Sequence, residues 1–159
     1  MDQIFALENI KDESTVYIQC RGDIKGNRWL DGHTQDGTVA LAPSTEGQYT
    51  GTKWRLTKIE DNVFAFYCLG NVEGNRWLDG HTQDGTVALA PSTEGHYTGT
   101  KWRLTETEKG IFTFYCLGNI EGNRWLDGHT QDGTVALALS TEGHYTGTKW
   151  AVYSVPPIS

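Results

Sequence analysis

Three short stretches carry the residues with chemical potential. Trp29, Asp31, His33 and Asp36 fall within eight positions of one another, and Tyr49 follows in a polar loop. The same types return as Trp77, Asp79, His81, Asp84 and Tyr97, and again as Trp125, Asp127, His129, Asp132 and Tyr145. With Leu30 pointing inward, the two-residue period of a strand puts Trp29 and Asp31 together on the opposite face. An aromatic plate beside a carboxylate suits a sugar: the ring covers the C–H face of a pyranose and the carboxylate accepts hydrogen bonds from its hydroxyls. His33 and Asp36 share a short loop, where an imidazole and a carboxylate can orient each other and meet further hydroxyls. These fifteen residues are the candidate carbohydrate site.

Each has a plainer reading that the sequence leaves open. Trp29 and its equivalents can seal a barrel under a hairpin, and Asp31 can cap a turn at Gly32. Three symmetric His can meet on an axis as a metal site, although one His per unit has no ligand-spacing motif, and Asp31 to Asp36 lacks the ligand density of a calcium loop. No metal or other cofactor is therefore expected. Cys20, Cys68 and Cys116 fall on an inward strand face and read as small buried hydrophobes rather than a thiolate cluster. No nucleophile stands beside a base in a recognisable context, and the Ser44-Thr45-Glu46 stretch reads as loop, so no enzyme is expected.

The elements that must position these groups come in three copies. Residues 26–54, 74–102 and 122–150 match over 29 positions at an offset of 48, with two differences: Gln48 against His96 and His144, and Leu139 against Pro43 and Pro91. The linking stretches 55–73 and 103–121 differ at seven of 19 positions. Recent duplication, gene conversion or design accounts for such a pattern as readily as three retained binding sites. Each unit reads as four short strands. The first alternates, with Val16, Ile18 and Cys20 on one face and Tyr17 and Gln19 on the other. The second is 28–31, and Asp36-Gly37 turns it into a third, 38–42, stopped by Pro43. A polar loop, 44–51, leads to the fourth, 53–56, with turns at Asp61-Asn62 and Lys109-Gly110. Substitutions such as Ala65 against Thr113 are expected on an exposed face. No stretch has a helical period.

Twelve strands in three equal units predict a closed all-β domain over 1–159, with units at about 11–58, 59–106 and 107–154. The order W-L-D-G, turn, T-V-A-L-A-P, loop, G-T-K-W-R-L resembles the β-trefoil family, specifically the ricin B-type lectin repeat, over about 15–152. That resemblance implies a β-trefoil with threefold pseudo-symmetry, Trp54, Trp102 and Trp150 as core residues, and Asp31, Asp79 and Asp127 as sugar-contacting carboxylates. It also implies galactose-type sugars. The chain departs from the repeat at Thr52, Thr100 and Thr148, where the repeat has Gln. It departs again at Ala42, Ala90 and Ala138, where the stacking aromatic sits, and at Gly51, Gly99 and Gly147, where an amide donor sits. A sugar here must stack on another aromatic, Trp29 or Tyr49 and their equivalents. A β-propeller is the rival architecture, with blades closing by oligomerisation.

Composition narrows the partners. The chain is 159 residues with 18 aromatics and a formal net charge of −7. Aromatic content argues against disorder, and acidity against nucleic acid and anionic membranes. No apolar run is long enough to span a bilayer, and no signal peptide is visible, which points to a cytoplasmic or leaderless-secreted protein. The expectation is a lectin that crosslinks glycans or glycoproteins through three sites, as monomer or dimer. A protein-binding β-trefoil such as a protease inhibitor, or a symmetric scaffold without ligand, are the alternatives. Residues 4–10 read as a surplus strand that pairs at an edge, covers the barrel or mediates a dimer.

Overall fold

A computed structural model describes residues 2–155. Its regular structure is all β, joined by short 3₁₀ turns, with no α-helix among the described residues. The strands are β1 (Asp2–Ile4), β2 (Thr15–Cys20), β3 (Trp29–His33), β4 (Thr38–Ala42), β5 (Trp54–Glu60), β6 (Val63–Cys68) and β7 (Trp77–His81). There follow β8 (Thr86–Ala90), β9 (Trp102–Glu108), β10 (Ile111–Cys116), β11 (Trp125–His129), β12 (Thr134–Ala138) and β13 (Trp150–Ser154). The 3₁₀ turns span Leu7–Asn9, Thr50–Thr52, Thr98–Thr100 and Thr146–Thr148. No helix among these residues is long and apolar enough to cross a membrane.

All pairings are antiparallel. β2, β5, β6, β9, β10 and β13 pair in that order, and β13 pairs back to β2, so six strands close a ring. Closure leaves no open edge within the ring. The hairpins β3–β4, β7–β8 and β11–β12 stand on it through Gln19 opposite Trp29, Tyr67 opposite Trp77 and Tyr115 opposite Trp125. Their outer strands meet one another around the pseudo-threefold axis, with Thr38 opposite Ala88, Thr86 opposite Ala136 and Thr134 opposite Ala40. The hairpin turns are closed by Gly37, Gly85 and Gly133, each at a φ of 78°, where a side chain is disfavoured. The turns between units use the same region at Asn62 (64°) and Gly110 (78°).

The core is what the periodicity implies. Val16, Ile18, Leu30, Leu56, Phe66, Phe114 and the three Trp of 54, 102 and 150 are at most 1% exposed. Each Trp indole also donates to a carbonyl at the hairpin base: Trp54 to Leu30 at 3.0 Å, Trp102 to Leu78 at 3.1 Å and Trp150 to Leu126 at 2.9 Å. The polar edge of a large buried ring is thereby satisfied. Cys20, Cys68 and Cys116 are free and buried, and burial pushes their thiols up to about 11. One expectation is corrected: Tyr17, Ala65 and Thr113, assigned to an exposed face, are buried too. The ring strands carry loops outside them as well as core within, so both faces are covered.

The N-terminal segment pairs with the ring from outside, but the strand expected over residues 4–10 is corrected: it spans Asp2–Ile4, and Leu7–Asn9 is a 3₁₀ turn. β1 lies along β13, Asp2 opposite Ser154 and Ile4 opposite Val152. The Gln3 side chain donates to Gly110 O (3.2 Å), Gly110 N donates to Phe5 O (3.0 Å), and Leu7 N donates to the Glu106 carboxylate (2.9 Å). β1 therefore ties the last strand of the chain to the β9–β10 hairpin.

Candidate functional site

Asp31 sits mid-strand in β3, opposite Ala40. Gly32 is also within the strand, and the turn lies at 34–37, so Asp31 is not a cap for a Gly32 turn. The residue is 5% exposed, and its Oδ2 meets one hydrogen-bonding side chain, His33 through Nε2, at 3.2 Å. On the far side of the ring, Nδ1 meets Thr38 Oγ1 at 3.1 Å, and that hydroxyl donates to Asp36 Oδ1 at 2.7 Å. Thr38 N donates to the same oxygen at 3.1 Å. A threonine hydroxyl has one proton. With that proton on Asp36, the contact to Thr38 is donated by His33 Nδ1, and Nε2 holds Asp31 through Oδ2 while Oδ1 is left without a side-chain donor. The chain Asp–His–Thr–Asp recurs through Asp79, His81, Thr86 and Asp84, and through Asp127, His129, Thr134 and Asp132, with distances within 0.1 Å.

The two carboxylates of each chain are perturbed in opposite senses. Burial raises Asp31, Asp79 and Asp127, and the charge and hydrogen bond of the adjacent His oppose it. At Asp79 and Asp127 a second imidazole, His96 or His144, adds to that opposition. Asp36, Asp84 and Asp132 are exposed, and the hydroxyl and amide of the following Thr lower them.

Above Asp31 opens a pocket of about 340 Å³, lined among others by His33, Gln35, Gln48, Tyr49, Gly51 and Val72. Its counterpart over Asp127, about 280 Å³, has His129, Gln131, His144, Tyr145, Gly147 and Ile24 in the same places. The Tyr wall is set by the 3₁₀ turn. Thr52 is fully buried and its hydroxyl donates to Tyr49 O at 2.8 Å, which is the reason for a small hydroxyl residue at that position. Gly51 has a comparable reason: a Cβ there would lie 1.9 Å from Gly32 O and 2.7 Å from Asp31 Oδ1. No amide-bearing side chain fits at that position. The floor is backed by the next unit, since Cys68 Sγ faces Gly32 O at 3.6 Å and Gly51 O at 3.5 Å.

The structure thus brings together Asp31, His33 and Tyr49, and likewise Asp127, His129 and Tyr145. Asp36 and its equivalents do not line the pocket and act on His through Thr. Trp29, Trp77 and Trp125 do not line it either. Trp29 packs edge-on against Tyr17 and Tyr153, with centroids at 6.0 and 5.5 Å. Trp77 packs against Tyr67 at 4.8 Å and lines a separate hollow of about 460 Å³ with Arg55, Arg76 and Pro91. Trp125 packs against Tyr115 at 4.7 Å. The pairing is the cause: all of each strand pairs within its hairpin, but only the Trp end also pairs with the ring, Trp29 lying opposite Gln19 as well as Ala42 while His33 lies opposite Thr38 alone. Several lining residues, Gln35 and Gln131 among them, were not among the candidates, and two groups of them differ between copies. Gln48, His96 and His144 were visible as a position that differs between copies, and His96 and His144 lie 4.1 and 4.2 Å from Tyr97 and Tyr145, centroid to centroid. Val72 and Ile24 come from the following unit, and no pattern within one unit points to them.

Among the described residues no group of three His, Cys, Asp or Glu is placed to hold a metal ion. Compared by sequence with known protein families and with curated proteins, the chain gives no significant match to either.

Proposed function

We propose that the protein is a carbohydrate-binding, lectin-like β-trefoil with three sugar pockets, one per unit. The trefoil reading rests on the six-stranded ring and the three hairpins that meet around one axis; independent radial blades would not share such a ring. The carbohydrate reading rests on one observation. A buried carboxylate, fixed by an imidazole, faces a small open pocket walled by a half-buried Tyr. Asp31 Oδ1 accepts a sugar hydroxyl, and His33 keeps the carboxylate in place. Tyr49 offers the aromatic surface that Ala42 does not. The site as described orients and accepts hydroxyl groups, and the reading is one of binding.

A glycan array on the intact chain, followed by titration calorimetry, tests this. Asp31→Ala, Asp79→Ala and Asp127→Ala together should abolish binding in a chain that keeps its β-type circular dichroism. Charge-assisted hydrogen bonds contribute about 1.5–3 kcal/mol each, enough to lose a weak site. Unchanged glycan binding by the folded triple variant would remove the assignment.

A further inference from the structure

Six large hydrophobic residues are exposed among those described, and three of them occupy one equivalent position: Ile24 (54%), Val72 (48%) and Ile120 (54%). Single exposed apolar residues are ordinary on a protein surface. These three are unusual in their setting. Val72 lines the Asp31 pocket and Ile24 lines the Asp127 pocket. Ile120 is tied to the Asp79 hairpin through its carbonyl, which accepts from Thr82 Oγ1, as the Ile24 carbonyl accepts from Thr130 Oγ1. Val72 and Ile24 therefore stand at pockets whose carboxylates belong to the neighbouring unit, and Ile120 holds the equivalent place beside the Asp79 hairpin.

The loops that carry them are anchored at several points. Arg76 donates to Gly70 O (2.8 Å) and Val72 O (3.1 Å), and Asn71 N donates to Thr50 Oγ1 (3.1 Å). Arg124 holds Gly118 O and Ile120 O, and Asn119 N reaches Thr98 Oγ1. Arg28 holds Gly22 O and Ile24 O, and Asp23 N reaches Thr146 Oγ1. A tethered loop cannot fold its apolar side chain away from water. Residues on either side vary in charge, Asp23 against Asn71 and Lys25 against Glu73, while the middle position stays aliphatic and β-branched.

We propose that Ile24, Val72 and Ile120 form an apolar rim that selects ligands bearing a methyl group next to the hydroxyl held by the pocket carboxylate. The inference rests on the carbohydrate reading. An otherwise polar pocket gains from such a rim when the ligand presents hydroxyls on one side and a methyl on the other. Two kinds of pyranose meet that description, N-acetylhexosamines and 6-deoxyhexoses. Ile24 and Ile120 extend one methylene beyond Val72, which makes the pocket over Asp31 the least selective of the three.

Matched sugar pairs isolate the methyl group. N-acetylglucosamine and N-acetylgalactosamine are each titrated against the N-formyl analogue, and L-fucose against L-galactose. One buried methyl group corresponds to about a three- to fivefold change in affinity. The methyl-bearing member of one pair should bind tighter by that factor, and the pair that responds identifies which kind of sugar is selected. In a chain carrying Ile24→Ser, Val72→Ser and Ile120→Ser, its affinity should drop to that of its partner, while the partner's affinity stays unchanged. If that chain melts early, the three Ala substitutions replace it. Equal affinities in every pair, or a preference that survives in the variant, overturn the rim while leaving carbohydrate binding intact. Failure of every sugar, on the array and in titration, overturns the carbohydrate reading and the rim with it.

Discussion

Asp31 and Asp36 belong to one hydrogen-bonded chain and answer pH in opposite ways. Burial raises Asp31 above its unfolded value, so the folded state takes up that proton first. Its contribution to stability therefore improves as pH falls through the raised value. Asp36 is lowered by Thr38. Its contribution is present above the unfolded value and is lost as pH falls through the folded one. The proposed ligand binding should follow Asp31 rather than Asp36, because a protonated carboxyl no longer accepts a charge-assisted bond. Sugar affinity should decline on acidification beginning above the ordinary aspartate range, while the fold persists. Titrations across a pH series, run beside circular dichroism, check this. Affinity that holds until the chain unfolds would exclude the carboxylate as the acceptor. The pocket over Asp31 carries Gln48 where the others carry His96 and His144, so the three sites should not titrate as one.

The element that decides the pocket is the 3₁₀ turn packed onto the hairpin strand. Gly51 lets its backbone lie against Gly32 and Asp31, and Thr52 holds Tyr49 from below. Gly51→Ala places a methyl 1.9 Å from a carbonyl oxygen, and the turn must move outward. Overpacking of this kind costs roughly 1–3 kcal/mol. Urea unfolding should show a loss of that size. Binding at the pocket over Asp31 should fall while the other two pockets are retained, so calorimetry should count one sugar fewer. A chain with unaltered stability and stoichiometry would mean that the turn is not packed as described.

Across the whole molecule, the pockets over Asp31 and Asp127 are each shared between neighbouring units, and the last is completed by the first: Val72 serves the site of Asp31, and Cys20 and Ile24 serve the site of Asp127. On the proposed carbohydrate reading, sites set around a threefold arrangement would face apart: they would not grip one small glycan together but would bridge glycans on separate surfaces, where repeated weak contacts raise avidity by about 10²–10⁴. The chain should take up close to three sugars and agglutinate cells even as a monomer. Changing one of the three pocket Asp to Ala should weaken agglutination modestly. Changing two should abolish it, since one site cannot bridge. Agglutination by a monomeric double variant would place the crosslinking surface elsewhere.

Much of this was written in the chain. Alternation in 16–20 and its copies, Asp36-Gly37 at the hairpin turn and the offset of 48 specify strands, turns and a threefold plan, because side-chain period and turn chemistry are local properties. Asp31, His33 and Tyr49 were legible as a group for the same reason, repeated at fixed spacing. What tertiary structure alone decided was which of these residues share a cavity. Trp29 lies two positions from Asp31, yet its end of the strand also pairs with the ring, where it packs edge-on against Tyr17 and Tyr153. Tyr49 is far along the chain, yet Gly51 brings it over the carboxylate. Val72 and Ile24 reach the pockets from the next unit, an adjacency that exists only once the ring closes.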